Sequence, residues 1–152
     1  MSTVADATES EDRTLTITRV FEAPRPRVFQ AFSDRKQYAQ WMGPRNVRVI
    51  ECEQDFRKGG KYRTVLRSEE GNTHILVGEF REVVPNERLV FSWAWESGGS
   101  SGPETTVTIE FRDHEDGTEI SLTQSVFEAL ETRDHHARGW EGSFDRLAKH
   151  LG

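Results

Sequence analysis

The sequence is short of the features that would assign a chemistry at once. It holds one cysteine, Cys52, in 152 residues, so no disulfide can close within the chain, which fits a reducing compartment. A chain of this length buries roughly 68–70% of the surface its unfolded form exposes and needs no such staple. No apolar run approaches the ~18 residues of a membrane-spanning helix. The polar, acidic start over residues 1–12 has neither the basic flank nor the apolar stretch of a signal peptide, and reads as a disordered leader. Positive charge is in deficit, with 20 Lys and Arg against 26 Asp and Glu and a net charge of −6, which disfavours a general nucleic-acid binder. Together these absences predict a cytoplasmic protein with no nucleic-acid partner and no membrane insertion, folded as a single domain over residues 13–152.

Motifs of catalysis and metal binding are missing as well. Five histidines are present, His74, His114, His135, His136 and His150, but no two lie four apart on a helix, the spacing that puts two ligands on one face. His135 and His136 are adjacent and diverge by about 100° on a helix wheel, His135 pointing away from the apolar stripe and His136 at its edge. There is no Cys-x-x-Cys, no nucleophile elbow and no phosphate-binding glycine pattern. Cys52 sits in an alternating segment and reads as an inert strand thiol. Arg57-Lys58 before Gly59-Gly60 reads as a turn with solvated charges. No metal, no cofactor and no catalytic residue is therefore expected.

What is present is periodicity. Leu15, Ile17, Arg19 and Phe21 alternate with polar neighbours as a first strand. Pro26 suits the first turn of a helix that carries Val28, Phe29 and Phe32. Asp34, with Gln37 three residues on, starts a second short helix in a variant of the capping box, ending near Trp41. Strand patterns follow around Val47 to Cys52 and over residues 61–68, 74–84, 88–95, 105–111 and 119–126, separated by turn residues such as Pro85-Asn86 and Asp116-Gly117. Residues 97–103 read as a flexible loop. Residues 130–151 form one amphipathic helix whose stripe is Ala137, Trp140, Phe144, Leu147, Ala148 and Leu151. A long helix after a run of antiparallel strands lays its stripe across the sheet. If the sheet curls around it, the two enclose a cavity.

The candidate lining residues follow from that picture. Phe91, Trp93 and Trp95 share one face of a strand, Phe111 lies on an inward face, and Trp140 and Phe144 oppose them from the helix. Each reads either as a wall for a flat or apolar ligand or as ordinary core. Gln124 shares its face with Ile120, Leu122 and Val126, so its amide needs a partner from protein, water or ligand. Glu79 is a similar candidate if Val77 points inward. Arg133, one turn above Ala137, either snorkels to solvent or offers its fork to an anionic head group. Gly139 and Gly142 each cost the helix roughly 1 kcal/mol relative to Ala and imply a local need for room: a close approach of the sheet or a bend.

The pieces also form a family pattern. Residues 19–24 with Val28-Phe29, then Asp34 and Trp41 before Gly43-Pro44, lead to the Asp55-Phe56-Arg57-Lys58-Gly59-Gly60 segment. Gly78-Glu79-Phe80, Val84-Pro85-Asn86, Gly117-Thr118 and Gly139-Trp140 follow. In this order and spacing, from about Thr14 to Leu151, the chain resembles the activator of heat-shock protein 90 ATPase homologue family within the START and birch-pollen-allergen-like superfamily. The resemblance implies an α+β helix-grip fold: a curved antiparallel sheet of about seven strands around a long C-terminal helix, with two short helices after the first strand. It also implies a cavity for a hydrophobic small molecule. Three functions stay open: non-catalytic binding of a lipid-like or polyketide-like molecule; a polyketide cyclase-like enzyme using Glu79, Gln124 and Arg133; or a chaperone co-factor or other interaction module. A monomer or a homodimer is expected.

Overall fold

The computed structural model describes residues 13–43, 46–96, 104–125, 127 and 129–152. The expected leader, the loop at 97–103 and the inward placement of Val126 fall outside the described residues. Strand β1 (Leu15–Phe21) leads into helices α1 (Arg25–Ser33) and α2 (Arg35–Trp41). Strands β2 (Val47–Gln54), β3 (Lys61–Ser68), β4 (Thr73–Val84), β5 (Arg88–Trp95), β6 (Thr105–His114) and β7 (Gly117–Ser125) follow, and helix α3 (Leu130–Leu151) closes the chain.

The short helices start as their residues dictate. Pro26 sits in the first turn of α1, where its missing N–H costs nothing. Asp34 caps α2: its carboxylate accepts the Lys36 backbone N–H at 3.0 Å and the Gln37 amide at 3.3 Å. The Lys36 bond, with that from Gln37, holds the Asp34 carboxyl below its ordinary pKa. Gln37 thus bonds the capping side chain, where a capping box would place it on the cap backbone.

All seven strands form one antiparallel sheet in the order β1-β7-β6-β5-β4-β3-β2. The period-two pattern puts Leu15, Ile17 and Phe21 of β1, Val107, Ile109 and Phe111 of β6, and Ile120 and Leu122 of β7 on the buried inner face. The register slips between Val49 and Glu51 in β2 and between Phe80 and Glu82 in β4. Such bulges bend a strand and raise its twist, and the sheet curls into a half-barrel that grips α3. On the inner side of β4 this leaves Leu76 and Phe80 buried, with Glu79 exposed. Glu79 therefore does not face the interior, because Val77 and Glu79 have the opposite parity to Leu76 and Phe80.

Helices α1 and α2 close one end of the half-barrel with a cluster of rings. Phe29 and Phe32 meet Phe111 edge-on at 5.3 and 5.5 Å, and Phe32 meets Trp41 at 4.8 Å. Phe21 meets Phe144 of α3 at 5.6 Å and 88°. The Trp41 indole N–H donates to the Ala31 carbonyl at 2.8 Å, so a fully buried Trp leaves no orphan donor. Burial of each such side chain is worth roughly 1.5–3 kcal/mol. Phe111 and Phe144 thus belong to a filled core. Among the described residues no helix is long and apolar enough to cross a membrane.

Candidate functional site

The other end of the helix–sheet interface is hollow. A cavity of about 440 Å³, partly open to solvent, lies between the first half of α3, the ends of β3, β4 and β5, and the connection from α2 to β2. This is within the usual range for small-molecule sites, ~300–1,000 Å³. Trp93 and Trp95 of β5 and Trp140 of α3 supply its aromatic wall, and Met42, Val47 and Leu66 its aliphatic wall. Gly43, Gly139 and Ser143 line it with little side-chain bulk, and His74, His135 and His136 complete it.

Each tryptophan is held differently. The Trp140 indole N–H donates to Gln124 Oε1 at 2.8 Å, and Gln124 Nε2 donates to Thr105 Oγ1 at 2.8 Å. The Thr105 hydroxyl in turn donates to the Trp93 carbonyl at 3.5 Å. This buried relay ties α3 to β7, β6 and β5 and fixes the tilt of the Trp140 ring. It also answers what Gln124 bonds: protein, not the cavity, which Gln124 does not line. Trp95 donates its indole N–H to His136 Nε2 at 3.0 Å, and His136 Nδ1 lies 2.9 Å from the Thr132 carbonyl. Because an indole nitrogen can only donate, His136 is the neutral tautomer with its proton on Nδ1. Burial lowers the His136 pKa; the Thr132 bond opposes this and neighbouring His135 adds to it. Among the described residues the buried Trp93 N–H has no oxygen or nitrogen partner, and its ring stands edge-to-face with Trp95 at 5.7 Å and 88°.

The wall opposite the sheet is clamped by the helix. Gly43 has φ +107°, a conformation glycine reaches without strain, and a Cβ there would sit 3.1 Å from the Val47 carbonyl oxygen. Its N–H donates to Ser143 Oγ at 3.1 Å. The Arg146 guanidinium donates to the carbonyls of Gly43 at 3.0 Å, Val47 at 2.7 Å and Gln40 at 3.1 Å. His136, Gly139, Ser143 and Arg146 follow one another at helical spacing along a stripe beside the apolar one. A Cβ on Gly139 would meet nothing within 4 Å. The room that this glycine leaves is cavity, not a close approach of the sheet.

Of the residues singled out in the sequence, Trp93, Trp95 and Trp140 come together on this cavity. Phe91 does not join them: it lies further down β5 and lines a separate hollow of only about 20 Å³ with Phe56, Tyr62 and Phe80. Phe111 and Phe144 lie in the filled end. Arg133 is turned along the helix surface, where Nε and a terminal nitrogen donate to Asp134 Oδ1 at 3.0 and 2.8 Å, and it does not line the cavity. Cys52 is half-buried opposite Thr64, and burial is the main cause holding its thiol pKa up, as suits an unreactive thiol. Sequence reasoning missed Met42, Gly43, Val47, Leu66, His74, His135, His136, Gly139 and Ser143 as lining. The small-residue stripe Gly139–Ser143 beside His136 was the available signal. Among the described residues no group of three or more His, Cys, Asp or Glu is arranged to hold a metal ion.

A curled seven-stranded sheet gripping one long helix, with a hollow kept between them, defines the START-like helix-grip class of α+β proteins. Within that class the family described as "Activator of Hsp90 ATPase homolog 1-like protein" matches residues 22–152, and the chain belongs to it. A protein from Chromobacterium violaceum of known crystal structure is 27% identical, with a TM-score of 0.81 over 91% of this chain and 96% of its own. The AHSA1 protein from Silicibacter pomeroyi is 26% identical, with a TM-score of 0.84 over 91% of this chain and 96% of its own. A Mycobacterium smegmatis protein, 20% identical with a TM-score of 0.81 over 93% of this chain and 92% of its own, shares the fold. No curated protein matches the chain.

Proposed function

We propose that the protein binds a flat, largely apolar small molecule non-catalytically in the cavity between the sheet and α3. One observation carries this reading: about 440 Å³ is left open where three indoles and three aliphatic side chains face one another. Leaving that volume unfilled forgoes the dispersion contacts that packed apolar side chains would otherwise make. A ligand that fills it recovers those contacts. The groups that a cyclase-type reaction would have used lie elsewhere: Glu79 is exposed, Gln124 is committed to Trp140 and Thr105, and Arg133 holds Asp134.

The neutral apolar dye N-phenyl-naphthylamine tests the reading. Its emission is expected to rise and saturate at about one dye per chain. Gly139→Leu, which projects a side chain into the open volume, is expected to abolish that rise while the protein stays folded by circular dichroism. Saturable binding that survives Gly139→Leu unchanged would place the dye elsewhere and remove the proposal.

A further inference from the structure

The mouth of the cavity has a charge preference written into its lining. The rings of His74, Trp95, His136 and His135 follow one another with centroids 6.3, 6.2 and 5.9 Å apart, an arc in which imidazoles flank and alternate with one indole. All four residues line the cavity. Their hydrogen-bonding capacity is unequal. His136 spends both ring nitrogens, on Trp95 and Thr132. His74 and His135 are exposed, and among the described residues their contacts are ring contacts only, to Trp95 and His136 respectively. Deeper in, Ser143 is engaged with Gly43, and the Trp140 N–H with Gln124. The uncommitted polar capacity of the described lining is therefore the buried Trp93 N–H, a donor only, and the two outer imidazoles.

The described lining contains no Asp, Glu, Lys or Arg. Any formal charge carried by these side chains is that of an imidazolium and is positive. It follows that the wall can give an anion an oppositely charged partner but can offer a cation only ring faces and a neutral imidazole nitrogen. A carboxylic acid or acidic phenol entering the mouth can give its proton to an imidazole and pair with it through a charge-assisted bond, roughly twice as strong as a neutral one. The net charge of −6 works against an anion at long range, but beyond about 10 Å that field is screened at ordinary salt, so the local groups decide.

Building on the ligand-binding reading above, we propose that the ligand is an acid: an apolar or aromatic body against Trp93 and Trp140, with a carboxylate or phenolate head at His74 and His135. Three probes with one body test it by equilibrium dialysis against the full chain: naphthoate, naphthalenemethanol and naphthylmethylammonium. Naphthoate is expected to bind about tenfold tighter than the ammonium probe, with the alcohol between them. In the His74→Gln/His135→Gln double variant, the acid-to-ammonium ratio is expected to fall to about twofold or less. Equal or tighter binding of the ammonium probe overturns the assignment, as does a ratio unchanged in the double variant; in either case the alcohol still binding leaves the cavity reading standing. Failure of all three to bind removes both.

Discussion

The two ends of α3 use one apolar stripe in opposite ways. At the C-terminal end, Phe144, Leu147 and Leu151 are buried against the rings brought by β1, α1, α2 and β6, and space is filled. At the N-terminal end, Trp140 faces Trp93 at 5.1 Å, and beside them the space stays open. The apolar character of the stripe does not differ between the ends. What differs is the company: helices α1 and α2 cover only one end, and on the flank of α3 the bulk drops to Gly139 and Ser143 at the other. Among the described residues, the cavity goes with the small residues on the flank of α3 at the end that α1 and α2 do not cover.

Several measurements would break or sharpen this contrast. The largest effect is expected from Phe144→Ala, which empties a fully buried site and should cost roughly 3–5 kcal/mol in denaturant unfolding. Trp95→Ala, at the half-buried mouth, should cost only about 1 kcal/mol. Similar losses from the two would mean that both ends are packed alike. Next comes Gln124→Leu, which strands the buried Trp140 N–H and takes from Thr105 Oγ1 the donor it accepts from. A loss of about 2–3 kcal/mol is expected, with altered Trp140 fluorescence as the sign that the ring has lost its tether.

A smaller effect is read through pH. His136 has its pKa lowered by burial from the ordinary 6.5. The unfolded chain therefore binds the proton at higher pH than the folded one. The stability owed to neutral His136 is fully present above about 6.5 and is lost as pH falls from there through the lower folded value. Protonation also sets two donors, Nε2–H and the Trp95 N–H, against each other. The wild type is expected to lose unfolding midpoint relative to His136→Gln as the pH drops below about 6.5; parallel profiles would show that the imidazole is not held neutral. The smallest change is Gly139→Ala. It should raise stability by about 0.5–1 kcal/mol through helix propensity while weakening ligand binding, because the added methyl enters open space. Tighter binding in that variant would mean that the volume beside Gly139 is unused.

Much of this could be seen in the residues beforehand, and the reasons are local. The alternation in β1 and β6 and the stripe of α3 are signals of two- and 3.6-residue period, and they locate elements and inner faces well. They say which layer Phe91, Trp93 and Trp95 point into. They do not say how far along the barrel each one sits, and that alone separates the small hollow at Phe91 from the open cavity at Trp93. The back wall was illegible for another reason. Met42, Gly43 and Val47 reach the cavity because Arg146 and Ser143, about a hundred positions away, hold their backbone. No pattern within a window of the chain reports a bond of that span.

The Arg146 clamp has one more consequence. It anchors four backbone carbonyl oxygens, those of Gln40, Met42, Gly43 and Val47, and backbone carbonyls do not take up a proton in mild acid. Mild acid can therefore undo the indole–imidazole bond on one side of the chamber while the opposite side stays fastened, so any acid-driven loosening begins at the Trp95 doorway and not by collapse of the room behind it.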